Sequence, residues 1–191
     1  MNKEKAISIV KPQLTEERFE HTLRVTQTAL ELAETYNVNK EKVELAGILH
    51  DYAKYRPKEE LKRSILTSNL PKDLLDYHHE LWHGPAGALL LEQEHGINDS
   101  DVQQAIRYHT TGKANMSMLE MIIFIADYSE PGRDFPGVQE VRDIVHHDLY
   151  RASWLATRNT INFLMQKNAT IYPDTFHAYN DLTRQLNGGN D

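Results

Sequence analysis

Six consecutive apolar residues, Met121-Ile122-Ile123-Phe124-Ile125-Ala126, run directly into a carboxylate, Asp127. A helix that is apolar on every side has no solvent face, so it must lie in the middle of a fold with other elements packed around it. Ser117 and Glu120 form a capping-box pair that opens this helix at Met118, and Pro131 stops it after Ser129. The carboxylate at its inner end is the difficulty. An unpaired buried carboxylate costs on the order of several kcal/mol, and a multivalent cation beside it removes that penalty.

The rest of the chain supplies the surrounding helices. Thr15 is an N-cap followed by Glu16 and Glu17, with Leu14 and Phe19 placed as a hydrophobic staple, and the helix runs to about Tyr36. Asn39 caps a second helix whose core side is Val43, Ala46, Leu49 and Ala53. Pro57 begins a short polar helix through Ile65, and Pro71 starts another. A helix opens at Gly84-Pro85 and ends at Gly96. Asn98 or Ser100 caps the next, to about Tyr108. Residues Val138 to Lys167 read as helical with a break near His147, and Asp174 caps a last helix before the tail. No segment alternates as a half-buried strand does. The expectation is therefore an all-α bundle of about eight helices forming one domain over 1–191, with a core of about 15–186 and a frayed tail at 187–191.

Composition narrows the chemistry. At 191 residues with 40% hydrophobic and 26% charged residues the chain is ordinary globular material. It has no cysteine, so a metal must be held by nitrogen and oxygen, and ten histidines are available. A net charge of -7 argues against a nucleic-acid polymer as partner, but a cation and a few basic residues can still make one pocket positive. No apolar run approaches a membrane span, and the N-terminal MNKEKAISIVKPQL lacks the features of a signal peptide, so a cytoplasmic location is expected.

Polar residues interrupt the apolar pattern at two further places. The stretch Ala46-Gly47-Ile48-Leu49 delivers His50 and Asp51 side by side, and His21 lies mid-helix between Arg18 and Arg24. Singly, each has a plain alternative. His21 could be a half-buried polar residue, His50-Asp51 a hydrogen-bonded pair at a helix end, and Asp127 a salt-bridge partner of Arg133. Together, three ligand types end or interrupt the three most convincing core helices, which points to a metal site.

The ordered set His21, His50-Asp51, Asp127 resembles the H…HD…D signature of the HD-domain phosphohydrolases. The flanking words HTLRV, GILHDYAK, HGPAGA, RYHTTG and FIADYSEPGRDFPG resemble the YqeK-type symmetrical diadenosine tetraphosphate hydrolases, from about Arg18 to Thr175. The resemblance implies an HD-type helical bundle. It also implies metal-dependent hydrolysis of diadenosine tetraphosphate to two ADP, with iron, or else manganese, cobalt or another divalent metal, held as one or two ions by His21, His50, Asp51 and Asp127. Asp51 takes a catalytic role. His21 and Asp127 are expected to border the substrate as well.

His83 and His109 serve as ligands if a second metal binds; otherwise they contact the phosphates, which is the favoured reading. Lys54, three residues past Asp51, is a candidate phosphate clamp or proton donor, and a solvated lysine is its alternative. Arg133 suits bidentate phosphate contact and Thr110 adds a hydroxyl, whereas Arg18 and Lys113 are weaker candidates because basic residues at helix ends are usually solvated. The non-helical segment Thr170-Ile171-Tyr172-Pro173-Asp174-Thr175 is expected to cover a base or sugar. Phe163, Leu164, Met165 and Trp154 read as core or interface residues, compatible with a homodimer. The competing functions are an HD-type nucleotidase acting on nucleoside mono- or triphosphates, and a non-catalytic module binding ADP or GDP.

Overall fold

A computed structural model describes residues 1–188. Ten α-helices follow one another: α1 Lys3–Val10, α2 Glu16–Thr35, α3 Lys40–Leu49, α4 Lys58–Thr67, α5 His83–His95, α6 Ser100–Tyr108, α7 Met118–Ser129, α8 Val138–Ile144, α9 Leu149–Gln166 and α10 Pro173–Leu186. Among the described residues there is no strand, and no helix is long and apolar enough to cross a membrane. Helix α7 is the axis of the bundle. Met121, Ile122, Ile123, Ile125 and Ala126 have no exposed surface, and α2, α3, α6, α8 and α9 pack around them.

The caps explain most boundaries. Thr15 accepts the backbone N–H of Arg18, Asn39 that of Lys42, and Ser117 with Glu120 closes a reciprocal capping box. Gly96 ends α5 at φ +66°, a left-handed conformation in which a side chain is disfavoured.

Several expectations are corrected. The core does not begin at residue 15: Asn2 caps α1, and Ala6, Ile9 and Val10, spaced on one helical face, enter the core against α3. Asp99, rather than Asn98 or Ser100, caps α6, because its carboxylate accepts from two successive N–H groups, those of Asp101 and Val102. The Pro71 segment forms two short 3-10 turns, Lys72–Asp76 and His79–Leu81. Tyr172 holds the N-cap of α10 with Pro173 at the first helical position, which puts Pro173, Asp174 and Thr175 inside the helix and leaves only Thr170 to Tyr172 outside it. Phe163 and Met165 are not core residues; both are more than half exposed. Of the tail expected to fray, residues 187 and 188 form a turn and residues 189–191 lie outside the described residues.

Two glycines let helices approach closely beside the site. A Cβ on Gly47 would come within 3.1 Å of Thr26 on α2, and one on Gly84 would come within 2.9 Å of the Arg107 carbonyl on α6. These contacts bring α3 to α2 beneath His50 and His21, and α5 to α6 beneath His83 and His109. Gly84→Ala forces backbone apart from backbone. It is expected to destabilise the fold by about 1–3 kcal/mol in urea unfolding; a variant as stable as the wild type would show that the close approach is not needed.

Candidate metal and active site

The site is built at helix ends. Helix α3 stops at Leu49, so His50 and Asp51 occupy the turn that follows rather than a helical face. His83 opens α5, His109 follows α6, and Asp127 lies two residues before the end of α7. His21 alone sits mid-helix, on α2. His21, His50, His83 and His109 are buried, and Asp51 has no exposed surface.

All four imidazoles are pinned by the same atom. His50 Nδ1 donates to the Gly47 carbonyl (2.7 Å), His83 Nδ1 to Glu80 (2.5 Å), His109 Nδ1 to Ile106 (2.8 Å) and His21 Nδ1 to the Glu130 carboxylate (3.0 Å). A carbonyl or carboxylate oxygen can only accept, so Nδ1 carries a proton in each ring, and Nε2 of His21 and His50 is free to act as a base or ligand. The four Nε2 atoms face inward. His21 Nε2 lies 3.0 Å from Asp127 Oδ1, and His50 Nε2 3.0 Å from Asp51 Oδ2. His83 and His109 Nε2 lie 3.2 and 3.9 Å from Asp51 Oδ1, and 3.0 Å from each other.

Buried polar atoms at this centre lack hydrogen bonds: His21 Nε2, His50 Nε2 and Asp51 Oδ1 have no partner. Burial without a partner is costly, and a cation held by such atoms removes that cost. Two sets of donor atoms, His21–His50–Asp127 and His50–Asp51–His109, each lie within 4.8 Å of one another. The all nitrogen and oxygen donor set fits a divalent transition metal, so the residues present fit the group.

Charge is balanced carboxylate by carboxylate. Arg18 pairs with Asp51, Arg133 with Asp127 at 2.5 Å, and Arg24 with Glu130 at 2.6 Å. Burial would raise the pKa of Asp51 and Asp127, but the neighbouring histidines, and Arg133 at Asp127, outweigh it and hold both well below the usual range. Burial, reinforced by His83 and His50, pushes His109 down to about 3, so it stays neutral. Burial also works against a charge on His50, but Asp51 and Asp127 raise its pKa; a proton and a metal cation therefore compete for this ring.

Among the residues singled out from sequence, His21, His50, Asp51, His83, His109 and Asp127 come together, and Arg133 joins them through Asp127. Thr110 Oγ1 is buried and without a partner. Lys54 lies outside the cluster, paired with Glu80 at 2.6 Å, and Lys113 pairs with Glu120. Tyr172 packs edge-on against Tyr77 and, with Asp174, Arg107 and Tyr108, lines a narrow cleft whose chain neighbours are His83 and His109.

Arg18 is the main correction: rather than being solvated, it grips Asp51. Glu130 and Arg24 are given no role by the sequence. Glu130, 1% exposed, orients His21 while accepting from Arg24 and from the Gly132 N–H. The available signal was an acidic residue one turn past Asp127, immediately before a proline.

A family model described as "HD domain" matches residues 18–132. The chain belongs to the HD-domain family. It is 51% identical over 182 residues to a Bacillus subtilis (strain 168) protein named "Bis(5'-nucleosyl)-tetraphosphatase, symmetrical", covering 95% of this chain and 98% of the relative. A Staphylococcus aureus (strain NCTC 8325 / PS 47) protein of the same name is 44% identical, covering 94% of each. A crystal structure from Clostridium acetobutylicum, described as a "predicted HD superfamily hydrolase involved in NAD metabolism", superposes with a TM-score of 0.91 at 39% identity, covering 97% of this chain and 98% of that one. Membership and the clustered donors together imply dependence on a divalent metal.

Glu130→Gln removes the charge behind His21. Metal affinity is expected to fall about 10–100-fold, read by metal retained after dialysis against graded chelator; unchanged retention would exclude the orienting role. The same residue sets an acid response. Burial raises the Glu130 pKa, but Arg24, His21 and the Gly132 N–H outweigh it and hold it at about 2, below the ordinary value of roughly 4.3. A depressed folded-state pKa gives stability that is complete above the ordinary value and is lost as pH falls towards the folded one. Unfolding free energy is therefore expected to drop more steeply for wild type than for Glu130→Gln between about pH 5 and 2. Parallel curves would exclude the linkage.

Proposed function

We propose that this chain is a metal-dependent hydrolase that cuts diadenosine tetraphosphate and related dinucleoside polyphosphates at the central bridge, releasing two ADP. The observation that carries this reading is the inward convergence of four Nε2 atoms on two ionised carboxylates. It occurs in a chain 51% and 44% identical, over nearly full length, to relatives named as symmetrical tetraphosphatases. His21, His50, Asp51 and Asp127 are the proposed metal ligands, with iron the favoured ion and manganese or cobalt as substitutes. When bound, the metal supplies an acidified water and polarises the attacked phosphoryl group.

The chain's own residues do the rest. Asp51, held ionised, presents Oδ1 without a hydrogen-bond partner and can accept a proton from the attacking water. Arg133 and Arg18 bring positive charge to the polyphosphate, and the partnerless Thr110 hydroxyl offers a further hydrogen bond. His83 and His109 face the phosphates in this reading. At His109 the negative charge of a bound polyphosphate favours the imidazolium that burial otherwise disfavours. A second cation against Asp51 Oδ1 is the competing role, favoured by that atom's lack of a partner, and metal stoichiometry of one against two separates the two roles. Lys54 reaches the departing diphosphate only by releasing Glu80, so its role is subordinate. The segment from Thr170 and Ile171 through Tyr172, Pro173 and Asp174 to Thr175 flanks one nucleoside. The lack of cysteine suits a reducing compartment, and the cytoplasm is where we place the reaction.

Chromatography of the early reaction is expected to show ADP as the only nucleotide product. Equal early ATP and AMP, or turnover of nucleoside monophosphates alone, would overturn the reading. His50→Ala, Asp51→Ala and Asp127→Ala are each expected to lose bound metal and about 100-fold or more of activity together. Wild-type metal content in all three would overturn the ligand assignment. Arg133→Ala should raise KM more than it lowers metal content, and loss of metal at unchanged KM would reverse the role given to this residue.

A further inference from the structure

The narrow cleft beside His83 and His109 encloses only about 10 Å³, so it cannot hold both ends of a substrate. A molecule with a nucleoside at each end of four phosphates needs a second surface on the far side of the bond that is cut. A groove of about 600 Å³ meets that need, lined by Tyr128, Phe135, Gly137, Asn159, Asn162 and Phe163.

Position is the first argument. Tyr128 follows Asp127 directly, and Phe135 lies two residues beyond Arg133, whose guanidinium rests on Asp127. Two of the groove's aromatic residues thus lie next to the Asp127–Arg133 pair along the chain. Chemistry is the second. Phe135 stands edge-on to Tyr128 at 5.0 Å, and Phe163 is 57% exposed, so aromatic surface is presented to the groove. The Asn159, Asn162 and Gln166 amides lie alongside, and no charged side chain lines the groove. An uncharged flat ring with donors and acceptors at its edge fits these walls; a phosphate does not. The shape is also fixed: Gly137 has φ +91°, and a Cβ there would come within 2.6 Å of Asn159 Nδ2, so the loop sits directly on α9.

We propose that this groove binds the second nucleoside of a dinucleoside polyphosphate, its base against Phe135 and Phe163 and its polar edge towards the amides. The inference rests on the dinucleoside reading above and adds to it where the distal half of the substrate lies.

Phe163→Ala and Asn162→Ala change exposed side chains, and retained metal content reports that the fold is intact. The test compares the KM for diadenosine tetraphosphate with the inhibition constant of adenosine 5'-tetraphosphate, which has the same four phosphates but one nucleoside. The expected result for Phe163→Ala is a KM raised about tenfold, as for loss of one base–aromatic stack, with the inhibition constant moved less than twofold. A KM unchanged in both variants, or both constants raised equally, overturns the proposal. Conversion of a dimer to a monomer with equal loss on both ligands also overturns it and identifies the groove as an interface between copies. Failure of the dinucleoside reading is seen separately and first, as wild-type protein that releases no ADP from diadenosine tetraphosphate, and the inference falls with it.

Discussion

Two ionised carboxylates inside an apolar bundle are the constraint on which the rest of the structure depends. Asp51 has no exposed surface and Asp127 very little, yet both are held far below their usual pKa. Each such charge costs several kcal/mol or so when it leaves water, and no single hydrogen bond offsets that. The fold answers with one arginine per carboxylate and four imidazoles turned inward. Every imidazole is turned by a fixed acceptor behind it: three carbonyls at helix ends and one carboxylate. The rings therefore have little freedom to relax away from the centre, and the arrangement is ready for a cation before one arrives.

That preorganisation depends on backbone packing. His50 can donate to the Gly47 carbonyl because α3 ends there, and α3 reaches α2 because Gly47 has no side chain. His83 and His109 meet because Gly84 lets α5 lie against the Arg107 carbonyl. The glycines that admit close packing and the histidines that do chemistry are neighbours in sequence, so a change in either disturbs the other. Helix α7, buried on all sides, is the rigid post against which these contacts are set.

Much of this is legible in the sequence, for identifiable reasons. An apolar run that ends in Asp127 is a contradiction on its face, and His50-Asp51 after Ala46–Leu49 repeats it, so the residues at the centre stand out. Caps at Thr15, Asn39 and Ser117 are local signals and fix their helices. What is missed depends on contacts remote in sequence. Glu130 precedes a proline just past a helix end and carries no local signal of a role, but Arg24, 106 residues away, pairs with it. Arg18 reads as a solvated helix-end cation until α3 brings Asp51 against it. Phe163 reads as core or interface because aromatic residues usually are, and only the fold shows that it is 57% exposed. Helix α1 is short enough that its one apolar face, Ala6, Ile9 and Val10, carries little periodic signal.

The acidity of the chain and the anionic character of its proposed substrate are reconciled locally. Asp51, Asp127 and Glu130 are already matched by Arg18, Arg133 and Arg24, so the centre is close to neutral before any metal binds, and each divalent ion adds net positive charge there. The overall charge of -7 is largely screened beyond about one Debye length of 8–10 Å, so the local charge at the centre governs phosphate binding. Symmetric cleavage does not need a symmetric site under these conditions. One flanking cleft offers Tyr172, Asp174 and Arg107, and the other offers neutral rings and amides. A substrate with identical ends gives the same products whichever end enters which cleft, so the enzyme needs only to fix the distance from either cleft to the attacked phosphorus. A substrate with two different bases removes that degeneracy. With the groove proposed above as the second nucleoside site, the unlike clefts would select an orientation, and each base would be released from the cleft that suits it better.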